Sequence, residues 1–371
     1  MARRMLLASA MALVLAAGCT PTAPVDADSA APAAPGGGQE SALLTLSEAF
    51  LTPMTPADNI DSPAAWKAPD GKTWLIATAK ATDKLVVYDG STGALLREVG
   101  ASGTALGEFK RPNGIAVTGD LLWIVERDNH RVQVFSLPDF APLAVFGADD
   151  LRKPYGLWVD KRADGYSVYV TDSWDNGEDA QGNDILPPLA ELDKRVRQYH
   201  VVRDGSTLKA NLTASIGDTS EAGALRVVES IWGDPANDRL IIAEEDETYA
   251  NEFKVYTLAG RFTGTTFGRD VFKAQAEGVM LRTCGKDGWW ITTEQAKDRS
   301  IFHLFDRHSL KPVGAFQGNK VANTDGIWMM QEGTARFPHG ALYAVHDDQG
   351  VVAFDWEQIA KALSLPLECA S

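Results

Sequence analysis

From residue 42 onward, short apolar runs rich in β-branched and aromatic residues alternate with clusters of Gly, Asp, Asn and Pro. The runs include "WLIATA", "KLVVYD", "LLWIVE", "RVQVFSL", "SVYVTD", "RLIIAEE", "FKVYTL", "WWITTE", "IFHLFD" and "LYAVHD". Their length and make-up are those of strands, and the clusters between them are those of turns. Helical periodicity is expected only near the end, in "WEQIAKAL".

The strands recur. Six segments, "SPAAW", "PNGIAV", "PYGLWV", "VESIWG", "AEGVML" and "TDGIWM", each place a small residue before an apolar run. The small residues are Ala64, Gly114, Gly156, Ser230, Gly278 and Gly326, spaced by 50, 42, 74, 48 and 48 residues. A period of roughly 40–50 residues holding four short strands predicts an all-β fold, a six-bladed β-propeller. The long interval contains "DNGEDAQGNDILPPLAELDK", read as a loop inserted in the third blade. The segment "ALLTL", 42–46, is expected to pair with the last blade and close the ring.

The residues just before the small positions are Pro63, Asn113, Tyr155, Glu229, Glu277 and Asp325, with Asp61 two residues ahead of Pro63. Glu229 stands inside the apolar run "VVESIWG", where an unpaired buried carboxylate would be costly. The first strand of each propeller blade lines the central channel, so Glu229, Glu277 and Asp325 are expected to converge. Like charges that close repel, and a bound cation relieves them. Acids also end the second strands, at Glu126, Asp172, Glu244, Glu245, Glu294 and Asp347, and are expected to rim the same face. An all-oxygen set points to Ca²⁺, and less well to Mg²⁺. Each such acid alone could equally be a solvated turn residue; the recurrence of one slot in three successive blades carries the reading.

Composition narrows the rest. The chain has 371 residues, 45% of them hydrophobic, and a formal net charge of −15. That is ample for a large core, and the acidity argues against a nucleic-acid partner. "MARRMLLASAMALVLAAGC" reads as an export signal, residues 1–18, ending in "LAAGC", which resembles the lipobox of bacterial lipoproteins. Cys19 would then carry a lipid, the sole membrane attachment, and Thr20 after it points to the outer membrane, facing the periplasm or cell surface. Residues 19–41, rich in Pro, Ala and Gly, form a tether, and 42–371 the propeller. Cys284 and Cys369 can pair in an oxidising compartment or remain two buried thiols, and two cysteines cannot build a structural zinc site.

Several of these stretches resemble β-propeller phytases, calcium-dependent phosphatases of inositol hexakisphosphate. They are "DSPAAW", "VVESIWGDPANDRLIIAEEDE", "AEGVMLRTCGKDGWWITTEQ" and "NTDGIWMMQEGTARFPHGALYAVHDDQG". The resemblance implies metal ligands at Asp61, Glu229, Glu245, Glu277 and Asp325, a site tyrosine at Tyr155, and phosphate contacts from Lys80 and from an arginine near His130, for which Arg127 is the candidate. It implies a calcium-dependent phosphomonoesterase acting on an inositol phosphate or another phosphorylated small molecule, as a monomer. Two positions depart from the family: Ser62 replaces an Asp, and Ser173 stands where a second phosphate-binding lysine is expected. A second stretch, "LGEFKRPNGIAVTGDLLWIVERDNHRVQVFSL", resembles an NHL repeat, common in propellers that bind proteins or glycans without catalysis. A calcium-dependent lactone hydrolase on the same fold is the third alternative. His346 is a candidate general acid or a loop histidine, and His130 a phosphate contact or an NHL turn residue. Trp66, Trp123, Trp158, Trp232 and Trp328 are expected to pack blades together.

Overall fold

The computed structural model describes residues 43–369. The export signal and the tether lie outside these residues. Six antiparallel sheets form a ring, with blades at 60–99, 112–146, 154–216, 231–267, 275–318 and 327–355. The chain is a six-bladed β-propeller. The insertion in blade three falls between Gly165–Asp172 and Val196–Asp204, as the long interval in the repeat predicts.

The strands form because their side chains alternate between blade faces, and both faces are buried against neighbouring blades. Ile124, Val170, Ile242 and Ile291 are fully enclosed. Removing such a side chain from water stabilises the fold by roughly 1.5–3 kcal/mol. Trp66, Trp123 and Trp158 pack between blades as expected; Trp123 meets Tyr166 edge-on at 5.3 Å. Trp232 and Trp328 instead turn into the channel and meet edge-on at 5.8 Å.

Closure differs from the expectation for 42–46. Leu44–Leu46 pairs in parallel with Pro312–Gly318, adding a fifth strand to blade five. The next segment, Phe50–Leu51, supplies the fourth strand of blade six through Phe50↔Ala353 and Leu51↔Val352. The apolar ring of Phe50 decides this register, because it lies near Phe337 and Tyr343, at 6.5 and 6.3 Å. The helix Trp356–Ala362 follows blade six, capped by Asp355 accepting from the Glu357 amide at 3.0 Å. A Cys284–Cys369 disulfide then ties the C-terminal segment to the inner strand of blade five. No helix among the described residues is long and apolar enough to cross a membrane.

Candidate metal centre

The inner-strand slot is built by the same irregularity in several blades. Register shifts occur between Ile60 and Pro63, Pro112 and Ile115, Pro154 and Leu157, and Ala276 and Val279. Two residues bulge at each shift, and the first turns toward the channel mouth. This corrects the repeat in blade one: its slot is Asp61 followed by Ser62, not Pro63 followed by Ala64. The ring is therefore Asp61, Asn113, Tyr155, Glu229, Glu277 and Asp325, with a polar side chain in every blade. The small residues follow because neighbouring backbones nearly touch. A Cβ at Gly156 would sit 2.1 Å from the Glu229 carbonyl, and one at Gly326 would sit 2.8 Å from that of Asp61. Thr78 and Thr171 tie the blades together by donating to the carbonyls of Asn113 and Glu229, at 2.7 and 3.0 Å.

A second tier comes from the end of each second strand: Lys80, Arg127, Ser173, Glu245 and Asp347 just past it, and Gln295 at its penultimate position. The acids one position earlier do not face the site. Glu126 accepts from the Lys110 amide at 3.0 Å and from Arg131 Nε at 2.7 Å. Asp172 accepts from the Lys153 amide, Glu244 from the Arg226 amide and Lys254, and Glu294 from the Lys273 amide and His303. These carboxylates anchor the incoming loop of their own blade, which corrects their expected place on the rim. His346 holds the same position in blade six, where its Nδ1 accepts the Ala322 amide, so it is a structural residue and not a free acid. His130 bonds through Nδ1 to the Arg152 carbonyl in a turn with positive φ, the NHL-turn alternative. Asp347 is exposed; Asp348, beside it, is the acid that approaches Asp325 and Lys80.

The ring divides into two halves. In one, Lys80 Nζ donates to Asp61 Oδ1 at 2.8 Å and lies 3.5 Å from Asp325 Oδ2. Tyr155 donates to the same Asp61 oxygen at 2.9 Å, and Asn113 and Ser62 donate to Asp61 at 3.3 and 3.0 Å. Gln295 donates to Asp325. In the other half, oxygens of Glu229, Glu245 and Glu277 all lie within 4.8 Å of one another. Glu245 accepts the Ser230 amide through Oε1 at 3.0 Å, while its buried Oε2 has no partner.

Electrostatics follow this division. Burial raises Asp61, but Lys80, Tyr155 and Ser62 more than offset it and hold the carboxyl below its usual range. Burial would lower Lys80, yet Asp61 and Asp325 keep it above the usual lysine range. Burial, then the charges of Asp61 and Asp325, push Glu229 up to about 8 despite Lys80. Asp325 is pushed up to about 7, by burial first. Burial and the neighbouring acids hold Glu245 and Glu277 well above the carboxylate range. Burial and the same charges raise Tyr155, keeping it a neutral donor to Asp61. Burial among like charges thus favours the protonated carboxyl in this half of the ring.

Residues 109–135 match the NHL repeat. A comparison with curated proteins finds no match. Among solved structures, the chain is similar to a nidogen/laminin complex chain at 15% identity and a TM-score of 0.47, covering 74% of this chain and 85% of that one. It is also similar to Kuenenia stuttgartiensis hydrazine synthase at 14% identity and a TM-score of 0.44, covering 90% and 83%. A member of the duf4221 family from Bacteroides vulgatus gives 8% identity and a TM-score of 0.47, covering 84% and 96%. The NHL reading of blade two thus stands, and the phytase resemblance rests on the motif residues alone.

The five acids named from the sequence, Asp61, Glu229, Glu245, Glu277 and Asp325, meet at one channel mouth, and Lys80 and Tyr155 meet there with them. Arg127 does not touch these acids; its Nε bonds Asp128 at 2.7 Å, and it lines a side pocket that shares Tyr155 and Glu229 with the ring. Sequence reasoning missed Gln295 and gave Asn113 no role. Both were findable from the register, one residue past the second-strand acid and one before the small residue. The donor set suits a hard divalent cation: carboxylates only, no thiol or imidazole, and one buried oxygen lacking any donor.

Proposed function

We propose that this protein is a calcium-dependent phosphomonoesterase acting at the channel mouth. The observation that carries the reading is the Glu229–Glu245–Glu277 cluster with its unpartnered Glu245 oxygen. These three side chains would hold Ca²⁺, and Asp325 stands next to them. A bound Ca²⁺ would polarise a phosphoryl oxygen and make a bound water more acidic. Lys80, fixed between Asp61 and Asp325, places an ammonium where equatorial phosphoryl oxygens gain charge during in-line transfer. Tyr155 positions Asp61 and through it Lys80. Arg127 contacts the ester from the side pocket. Ser173 contributes no charge, so Lys80 carries the phosphate contact of the ring without a second lysine.

The substrate is a phosphorylated small molecule, and the acidic chain is unsuited to nucleic acid. Export is supported by the Cys284–Cys369 disulfide, a bond that persists in oxidising compartments, and the lipid on Cys19 rests on "LAAGC". The ring closed within blade six, with strand edges left only at the blades' outer strands, supports a monomer.

The test is phosphate release from simple esters and from phytate, with calcium and with chelator, on the native chain and on Glu277→Gln. Release that needs calcium and falls with the variant supports the proposal. The NHL match favours one second reading, a propeller that binds without turnover. Calcium binding with no release of phosphate and no opening of a sugar lactone would select it.

A further inference from the structure

The ring encloses only about 70 Å³, room for an ion and a few waters. The organic part of an ester attached to a phosphoryl group there must lie elsewhere. The side pocket, about 400 Å³, is the adjoining space, and its outer wall is the loop inserted in blade three. Its bases are largely engaged. Lys153 is bonded to Asp175, and Arg127 bonds Asp128 through Nε, which leaves its other donors for the ester. Arg195 is buried and donates to the Leu225 and Trp174 carbonyls at 3.0 and 2.6 Å. Against these three bases the pocket sets three acids of its own, Asp175, Glu178 and Asp184, beside Glu229 of the metal cluster.

From this we infer that the pocket takes a small, uncharged, hydroxyl-rich group, which makes the substrate a sugar or polyol monophosphate and excludes a highly phosphorylated ring. The inference rests on the phosphomonoesterase reading. Hydroxyls both donate and accept, so they fit a lining of paired acids and bases. Each further phosphate would bring roughly −1.5 to −2 of charge into a pocket whose base with free donors, Arg127, already serves the first. Within the screening length of about 10 Å, the exposed Glu178 and Asp184 would repel it.

The experiment uses the calcium-loaded full chain in two arms. In the binding arm, calorimetry measures inositol hexasulfate, a non-hydrolysable polyanion, on the native chain and on Glu178→Gln/Asp184→Asn, two exposed positions whose neutralisation leaves the core untouched. The variant should bind about tenfold more tightly. Equal affinity, including no detectable binding to either, overturns the inference. In the activity arm, kcat/KM for glucose 6-phosphate should exceed that for inositol hexakisphosphate by about tenfold or more, and the reverse order overturns it. If neither ester is hydrolysed, the phosphomonoesterase reading fails while the binding arm still decides the charge argument.

Discussion

Stripping calcium from this protein should make its stability fall steeply with pH, and restoring the ion should flatten the profile. Glu229 is held at about 8 in the fold against an ordinary 4.5, and Asp325 at about 7 against 3.8. A carboxyl whose folded pKa lies above its unfolded value keeps its proton in the native state after the unfolded chain has lost it. Its contribution is therefore complete below the unfolded pKa and is lost as pH rises to the folded one. The slope is roughly 1.4 kcal/mol per pH unit for each such group. Across the Glu229 window, from 4.5 to about 8, the loss is on the order of 5 kcal/mol. Against the 5–15 kcal/mol typical of a domain, that is roughly a third or more of the total. Urea unfolding at about pH 5 and about pH 8, with EDTA and with calcium, reads it directly. Calorimetry in buffers of different ionisation enthalpy should also show roughly one proton or more released per calcium near pH 7. If the chelated protein is equally stable at both pH values to within about 1 kcal/mol, the crowded-carboxylate account of the ring is wrong.

Three further outcomes are expected. Replacing both Cys284 and Cys369 by Ser, which opens a link spanning 85 residues, should lower stability by about 4–5 kcal/mol in non-reducing urea titrations; a loss under about 1 kcal/mol would mean the C-terminal segment is held by packing alone. Lys80→Met should leave calcium binding measurable by calorimetry while reducing kcat/KM for phosphate release by about 10²-fold, since it removes the ammonium 2.8 Å from Asp61; retained activity would remove Lys80 from the chemistry. Gly156→Ala places a Cβ 2.1 Å from the Glu229 carbonyl, so the melting temperature and the calcium affinity should fall together, with about 1–3 kcal/mol lost in stability; an unchanged affinity would separate that carbonyl from the position of the Glu229 carboxylate.

Much of the fold was legible because a propeller repeats. Strand-length apolar runs and a period near 48 residues identify six blades, since each blade must bury both faces against the next. The convergence of Glu229, Glu277 and Asp325 followed from the same regularity. Blade one was read two residues out of place because "SPAAW" offers small residues on both sides of its Pro, and only the bulge between Ile60 and Pro63 sets Asp61 in the slot. The second-strand acids were misread for a related reason. Glu126, Asp172, Glu244 and Glu294 lie one residue from ring positions, and strand residues one apart point to opposite sides.

What the sequence determined by itself is what depends on local pattern: strand content, blade number, the inserted loop, the terminal helix and the set of acids able to meet. Tertiary structure alone decided the rest. It assigned Phe50–Leu51 to blade six, paired Cys284 with Cys369, made His346 a structural acceptor, and split the ring into a half neutralised by Lys80 and a half of three clustered carboxylates. Each of these turns on which way a side chain faces and what lies across a gap of about 3 Å, and that is set by bulges and blade packing between residues far apart in the chain.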